Sequence, residues 1–190
     1  MLKFVILVSL FFTIPTTPQS ILLENPSFEG QPQDATTPTG WDACGKYSTP
    51  DLLPGYWGVK ATPAHGKSFV GLIVREDNTW EYLGQTLQQS LEPKKCYEFS
   101  LSLAKAIGYS GYSKAARIRI WGSNSKCSKG ELLGETGAVD HAVWKKYDFI
   151  LSPKKAVKYL VIEAYYTTET PYKGNILIDN CSSLKLCARA

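Results

Sequence analysis

Long apolar runs are nearly absent from this chain. The single one, Phe4 to Ile14, is broken only by Ser9 and Thr13. At roughly 11 residues it falls well short of the ~20 that a membrane-spanning helix requires. Lys3 precedes it, and the breaker-rich stretch Pro15 to Ser20 follows. This is the pattern of a cleaved secretory signal over residues 1–20, with cleavage expected between about Thr16 and Ser20. Cys does not follow the apolar run, so no lipid anchor is expected. Basic clusters are also lacking. The net charge is +4, and the pairs Lys94-Lys95, Lys145-Lys146 and Lys154-Lys155 each lie beside a Pro or an aromatic residue. Nucleic acid is therefore not an expected partner. No Gly-x-Ser-x-Gly elbow and no Cys-x-x-Cys pair occurs, which removes the usual hydrolase nucleophile and the common zinc spacings.

Five cysteines are present: Cys44, Cys96, Cys127, Cys181 and Cys187. In an exported chain they predict up to two disulfides with one thiol left over. Spacing leaves the connectivity open. The preferred pair is Cys96 with Cys187, because a strand beginning at Cys96 can run antiparallel to one ending near Cys187.

Helical periodicity is missing after Ser20. Two-residue alternation bounded by Gly, Pro, Asn and Ser recurs instead. Tyr97, Phe99, Leu101 and Leu103 alternate with Glu98, Ser100 and Ser102. Ile118 and Ile120 alternate with Arg117, Arg119 and Trp121. Tyr147, Phe149 and Leu151 form a further set, and Leu160, Ile162 and Ala164 interleave with Glu163 and Tyr165. Ser68 to Val74 and Tyr82 to Leu87 also read as strands. Eight to ten short strands with no repeat or linker predict one all-β domain over 21–190, a two-sheet antiparallel jelly-roll β-sandwich. Ser113 to Ala116 is expected to form one helical turn at most. The stretch Gln31 to His65 reads as long and irregular, a kind of segment that often carries function.

Two segments near the ends of the mature chain stand out. Leu22 to Gly30 and Ile176 to Asn180 each end an apolar run with an acidic side chain followed by a turn residue. If the terminal strands lie side by side, Glu29 and Asp179 converge on one hard cation. The alternative is that Glu29 caps a turn and Asp179 binds loop amides.

Asn25-Pro26-Ser27-Phe28-Glu29 followed by Pro38-Thr39-Gly40-Trp41 resembles the opening of galactose-binding-like jelly rolls, which include many carbohydrate-binding modules. Gly66 to Gly71, Tyr97 to Ser100, Trp144 to Tyr147 and Ile176 to Asn180 follow in that family's order and spacing. Thr49-Pro50-Asp51, Glu81 to Gln85 and the segment from Gly122 through Cys127 to Leu133 are similar to a subgroup of exported bacterial cell-surface domains. The resemblance implies a structural calcium between the first and last strands, with carboxylates from Glu29 and Asp179 and a carbonyl from Gly66 or Lys67. Calcium takes six to eight oxygen ligands, so two carboxylates are a chemically reasonable start.

Sugar recognition needs flat apolar ring faces and a few fixed polar groups, and five Trp and eleven Tyr supply candidates. With Ile118 and Ile120 in the core, parity places Arg117, Arg119 and Trp121 on the opposite face. The same reasoning sets Trp80 and Tyr82 opposite Leu83 and Leu87, and Tyr165 opposite Leu160 and Ile162. These six residues form the expected ligand face, with Trp57 as a further candidate. For each ring the competing assignment is inter-sheet packing, and Trp57 would then cover the sandwich edge. Trp41 and Trp144 are assigned to the core or to the start of a strand. His65 and His141 are expected to be turn residues, and no acid–base pair is apparent among Glu131, Glu135 and Asp140. The expected function is non-catalytic binding of an oligo- or polysaccharide by a secreted or cell-surface monomer. A protein-interaction module on the cell surface is the alternative, and a glycan-active hydrolase the third.

Overall fold

The computed structural model describes residues 20–188; the expected signal segment before Ser20 lies outside them. The chain forms thirteen strands and, among the described residues, no helix. In order these are β1 (Ser20–Ile21), β2 (Asp42–Cys44), β3 (Asp51–Leu53), β4 (Phe69–Val74), β5 (Tyr82–Leu91), β6 (Tyr97–Ala104) and β7 (Lys114–Ala115). Then come β8 (Arg117–Ser123), β9 (Glu131–Glu135), β10 (Lys145–Leu151), β11 (Val157–Tyr165), β12 (Gly174–Asp179) and β13 (Leu184–Leu186). Eight of the thirteen are five residues or longer, and among these β6, β8, β10 and β11 carry the alternation visible in the sequence. Lys114–Ala115 is not a helical turn: it pairs in parallel with β12, where the Asn175 amide binds the Ala106 and Tyr112 carbonyls and holds the segment extended.

Two sheets face each other. The larger runs β1-β13-β6-β12-β4-β3, with β10 flanking β6 and β7 beside β12; the other runs β2-β5-β11-β8-β9. Apart from β7 with β12, all neighbours are antiparallel, and the architecture is a jelly-roll β-sandwich. Its core interleaves Val70, Leu72, Leu101, Leu103, Ile176 and Ile178 with Leu83, Leu87, Ile118, Ile120, Leu160 and Ile162. Phe28 and Trp41 close one end, their rings 4.9 Å apart.

The larger sheet is buried on its outer side too. Phe69, Ile73 and Leu177 point away from the core and meet Val59, Ala106 and Tyr109 from two covering loops. That third layer explains why β4 and β12 read as unbroken apolar runs rather than alternating ones.

The terminal strands do pair, Ser20 opposite Lys185 and Ile21 opposite Leu184. The β13 strand also runs antiparallel to the start of β6, and Cys96 and Cys187 are joined beside it. The second disulfide is Cys44–Cys127, and Cys181 is free and buried. Both the number of bridges and the preferred pair are as the sequence suggests.

Candidate ligand face and cation site

The outer face of the five-stranded sheet is organised around β11, its central strand. Tyr159, Val161, Glu163 and Tyr165 point outward there, while Leu160 and Ile162 point into the core. Register brings Glu163 opposite Tyr82 of β5 and Arg119 of β8, Val161 opposite Trp121, and Tyr165 opposite Arg117.

Glu163 is the hub. Its carboxylate is 1% exposed, yet both oxygens are taken up. The Trp80 indole N–H donates to Oε1 at 2.7 Å, and the Trp121 indole N–H donates to Oε2 at 2.7 Å. The Lys129 ammonium also donates to Oε1 at 2.7 Å. An unpaired buried carboxylate would cost several kcal/mol, so these three donors are what permit it. In return they fix both indoles by their polar edges. Lys129 further lies 4.8 Å above the Tyr82 ring, a cation–π contact that completes the cluster.

Arg119 and Tyr165 play another part. The guanidinium lies 3.8 Å over the Tyr165 ring and 3.5 Å from Glu135, while the Tyr165 hydroxyl donates to Glu135 at 3.0 Å. Tyr165 is thereby covered, and it supports Arg119 rather than offering a free ring. Burial raises the Tyr165 hydroxyl above its ordinary range, and the Glu135 carboxylate adds to this.

Between the walls opens a pocket of about 240 Å³, lined by Gly45, Lys46, Tyr47, Asn78, Thr79, Trp80, Tyr82 and Lys129. The Cys44–Cys127 disulfide ties its two sides together, since Gly45 follows one cysteine and Lys129 lies just beyond the other. Beneath the bridge the Tyr159 hydroxyl donates to Asp42 at 2.8 Å, and Lys126 pairs with the same carboxylate at 2.6 Å.

Trp80, Tyr82, Arg117, Arg119, Trp121 and Tyr165 thus share one face, as parity predicts. Trp57 does not join them. It is 48% exposed, and its carbonyl accepts the Ser110 N–H at 2.8 Å in the loop layer over the larger sheet. Its position with φ 53° belongs to a turn that parity cannot address. Trp41 is in the core, and Trp144 starts β10 against Phe69 at 5.4 Å. Glu163 had a signal, a lone acid within the apolar run of β11. Lys46 and Tyr47 fall within the irregular stretch Gln31 to His65, which marks the segment but not the residues, and Lys129 had no signal, because a disulfide between distant loops brings it in.

At the end of the sandwich near the chain termini, the first and last acidic segments meet. The Asn25 side chain fastens the opening turn: its Oδ1 accepts the Glu29 N–H at 2.7 Å, and its Nδ2 donates to the Glu29 and Thr39 carbonyls at 2.9 and 3.0 Å. The Glu29 carboxylate then accepts the Lys67 N–H at 3.0 and 3.1 Å. Glycine is required at 66, where φ is +68° and a Cβ would lie 1.8 Å from a Glu29 oxygen. Asp179 is fully buried and accepts the His65 N–H at 2.9 Å and the Asn180 N–H at 2.6 Å. Burial pushes the Asp179 carboxyl up to about 6, and the nearby Glu29 charge adds to this.

Glu29, Gly66, Lys67 and Asp179 are therefore brought together. The visible role of Lys67 is as an N–H donor to Glu29. Each carboxylate retains lone pairs, and among the described residues neither has an ion-pair partner. Two mutually repelling carboxylates without a balancing cation fit a hard divalent ion. Main-chain oxygens and water would have to complete its shell, because no cluster of three acidic, His or Cys side chains is found among the described residues.

Hydrolytic constellations are not assembled at these points. The Ser27 hydroxyl and His65 Nδ1 are 2.9 Å apart, but Asp179 binds the His65 main chain rather than its ring. Glu131 accepts the Lys154 N–H, Glu135 pairs with Arg119, and Asp140 pairs with Lys105, so the three do not converge.

No family model and no curated protein matches the chain. Its fold is nonetheless similar to several solved structures. A stig cyclase from Fischerella sp. TAU aligns with a TM-score of 0.59 at 14% identity, covering 92% of this chain and all (100%) of that one. The CBM22-1 xylan-binding domain of Xyn10C from Paenibacillus barcinonensis gives 0.54 at 16% identity, covering 93% and 100%. The K3 cleaved adhesin domain of Lys-gingipain from Porphyromonas gingivalis W83 gives 0.55 at 13% identity, covering 90% and 98%. At such identities the likeness is one of fold alone, the jelly-roll β-sandwich.

Proposed function

We propose that this chain is an exported, monomeric, non-catalytic carbohydrate-binding module. Its ligand surface is the outer face of the five-stranded sheet at Trp80, Tyr82 and Trp121. One observation carries the reading: two indoles are locked by their N–H edges onto a single buried carboxylate. With the polar edges satisfied, what remains to offer is the part of each half-buried ring not packed against the core, Tyr166 or Arg119, and flat pre-organised surfaces suit the C–H faces of pyranoses. The adjoining pocket lies below the ~300–1,000 Å³ of typical small-molecule sites, which suits one sugar residue of a longer chain. The fold shared with a xylan-binding domain agrees with this, and two disulfides agree with export. A calcium ion held by Glu29 and Asp179 beside the Gly66-Lys67 turn would brace the termini.

A glycan array read with and without chelator tests the proposal, together with Trp80→Ala and Trp121→Ala. The expected result is binding that both substitutions abolish, and a melting temperature that calcium raises in the parent but not in Asp179→Asn. Binding unchanged in both Trp variants removes this face, and a calcium-independent melting temperature removes the ion.

A second reading, a cell-surface protein-interaction module, is favoured by one feature. Tyr56, Trp57, Ile107 and Val143 are exposed on the loops that roof the larger sheet. If the roof is the working surface, Trp57→Ser with Ile107→Ser removes attachment to the cell surface and leaves the glycan-array profile intact.

A further inference from the structure

The pocket beside Trp80 and Tyr82 has a charge pattern that narrows its ligand. Two ammonium groups line it, Lys46 and Lys129, and no carboxylate does. The nearest acids are all occupied. Glu163 lies beneath the surface, neutralised by Lys129 and two indole N–H groups. Asp77 is folded back on its own turn, accepting the Thr79 N–H at 3.0 Å and the Thr79 hydroxyl at 2.6 Å. Asp42 is engaged by Lys126 and Tyr159. Lys46 has no ion-pair partner among the described residues, and its ammonium stands 5.2 Å over the ring of Tyr47, at the exposed rim. Asp77 likewise has no ion-pair partner among the described residues but lies outside the lining, so Lys46 is the charge within the pocket that no carboxylate engages.

We infer that the pocket takes an anionic saccharide, a pyranose bearing a carboxylate or a sulfate, stacked against Trp80 and Tyr82 with its charged group at Lys46. This rests on the carbohydrate-binding reading and adds the ligand's charge to it. Tyr47 and Asn78, also in the lining, supply neutral polar groups for ring hydroxyls. The small volume limits this recognition to one charged unit at a time.

The test is calorimetric titration of the mature chain with a galacturonate trisaccharide, a sulfated galactan oligosaccharide, and neutral xylotriose and galactotriose. An acidic ligand is expected to bind at least about tenfold more tightly than the neutral ones, the size of one charge-assisted hydrogen bond. That advantage should shrink as salt rises from about 50 to about 500 mM, because the rim charges are solvent-exposed. Lys46→Gln is expected to cut the acidic-to-neutral affinity ratio about tenfold. Lys185→Gln, on the opposite sheet, should leave it as it was. Preference for the uronate or for the sulfate identifies the anionic group, and either supports the inference. Neutral ligands binding as tightly as acidic ones, independently of salt, overturn it while leaving a carbohydrate module. Absence of binding to any of the four overturns both.

Discussion

Replacing Glu163 tests the central claim about the ligand face, because this side chain is too deeply buried to touch a ligand. Glu163→Ala removes the common acceptor of Trp80, Trp121 and Lys129. Lys129 is partly exposed and rehydrates, so its loss contributes little. The two indole N–H groups are only partly open to water, and each donor left without a partner costs about 1–3 kcal/mol. The cavity left by the missing side chain adds to this, for a total of at least about 3 kcal/mol. In a domain of this size that lowers the melting temperature by roughly 10 °C. Glu163→Gln keeps the volume and one acceptor oxygen but turns an N–H₂ toward a second donor, and is expected to lose about half as much. Chemical denaturation gives the free energies, and tryptophan emission reports the freed indoles. Glycan affinity should fall in both variants even where the protein is fully folded, since the rings lose their fixed orientation. The reasoning fails if Glu163→Ala stays within about 1 kcal/mol of the parent with unchanged emission, less than one buried donor is worth.

Three further outcomes follow from other sites. Burial pushes Glu81 up to about 7 from an ordinary 4.5, with Arg75, Thr49 and Ile73 offsetting only part of the effect. The folded chain therefore binds more protons than the unfolded one across that interval, and stability declines as pH rises through it, by up to about 3 kcal/mol, then levels off. Asp179 contributes with the same sign, so the measurement is the pH dependence of melting in Glu81→Gln, which should be flatter than in the parent; an equal slope counts against the assignment. Cys44 and Cys127 are 83 residues apart, so replacing both by Ser should cost about 4 kcal/mol by loop entropy. It should also weaken glycan binding, while the unaltered Cys96–Cys187 bridge holds the far end; retained affinity would show that the bridge does not hold the pocket walls. Cys181 is buried, and burial raises its thiol far above the usual range. A thiol reagent should find no reactive group in the native chain and one per chain after denaturation without reductant; rapid labelling of the native protein would contradict its burial.

What the sequence discloses here is governed by how local each signal is. Alternation in β6, β8 and β11 is written into adjacent residues, so strand placement and facing are readable, as is the pairing of β13 with β6 that brings Cys187 to Cys96. The acidic segments are readable too, because each ends an apolar run with an acid followed by a turn residue. The short strands β1, β2, β3 and β7 are not readable. Two or three residues carry no period, and they are held extended by partners elsewhere: Asp51 of β3, for example, accepts the Ala35 N–H and the Tyr109 hydroxyl. The place of Trp57 away from the other six is not readable for a related reason, since a turn residue has no strand parity. The unbroken apolar runs of β4 and β12 are the local trace of a covered outer face on the larger sheet.

The two halves of the candidate face differ in what would be needed to change them. Glu163, Trp121 and Tyr82 lie on the central strands, and Trp80 stands two residues before β5. Substituting any of them disturbs hydrogen bonds or packing that the sheet itself uses, as the costs above indicate. Lys129, on the loop after β8, is tied to the buried Glu163 carboxylate, but Lys46 and Tyr47 hang on the loop after β2, anchored by one disulfide and exposed at the rim. Changes there leave the sandwich core untouched and alter only charge and shape at the rim. The stacking platform is therefore tied to the stability of the fold, while the ligand's charge is set by residues free to vary. A domain built this way can keep binding sugars while exchanging one kind of sugar for another. Substitutions at Lys46 or Tyr47 should accordingly change the acidic-to-neutral affinity ratio and leave the melting temperature where it was, whereas substitutions at Trp80, Trp121 or Glu163 should lower acidic and neutral affinities alike, together with the melting temperature.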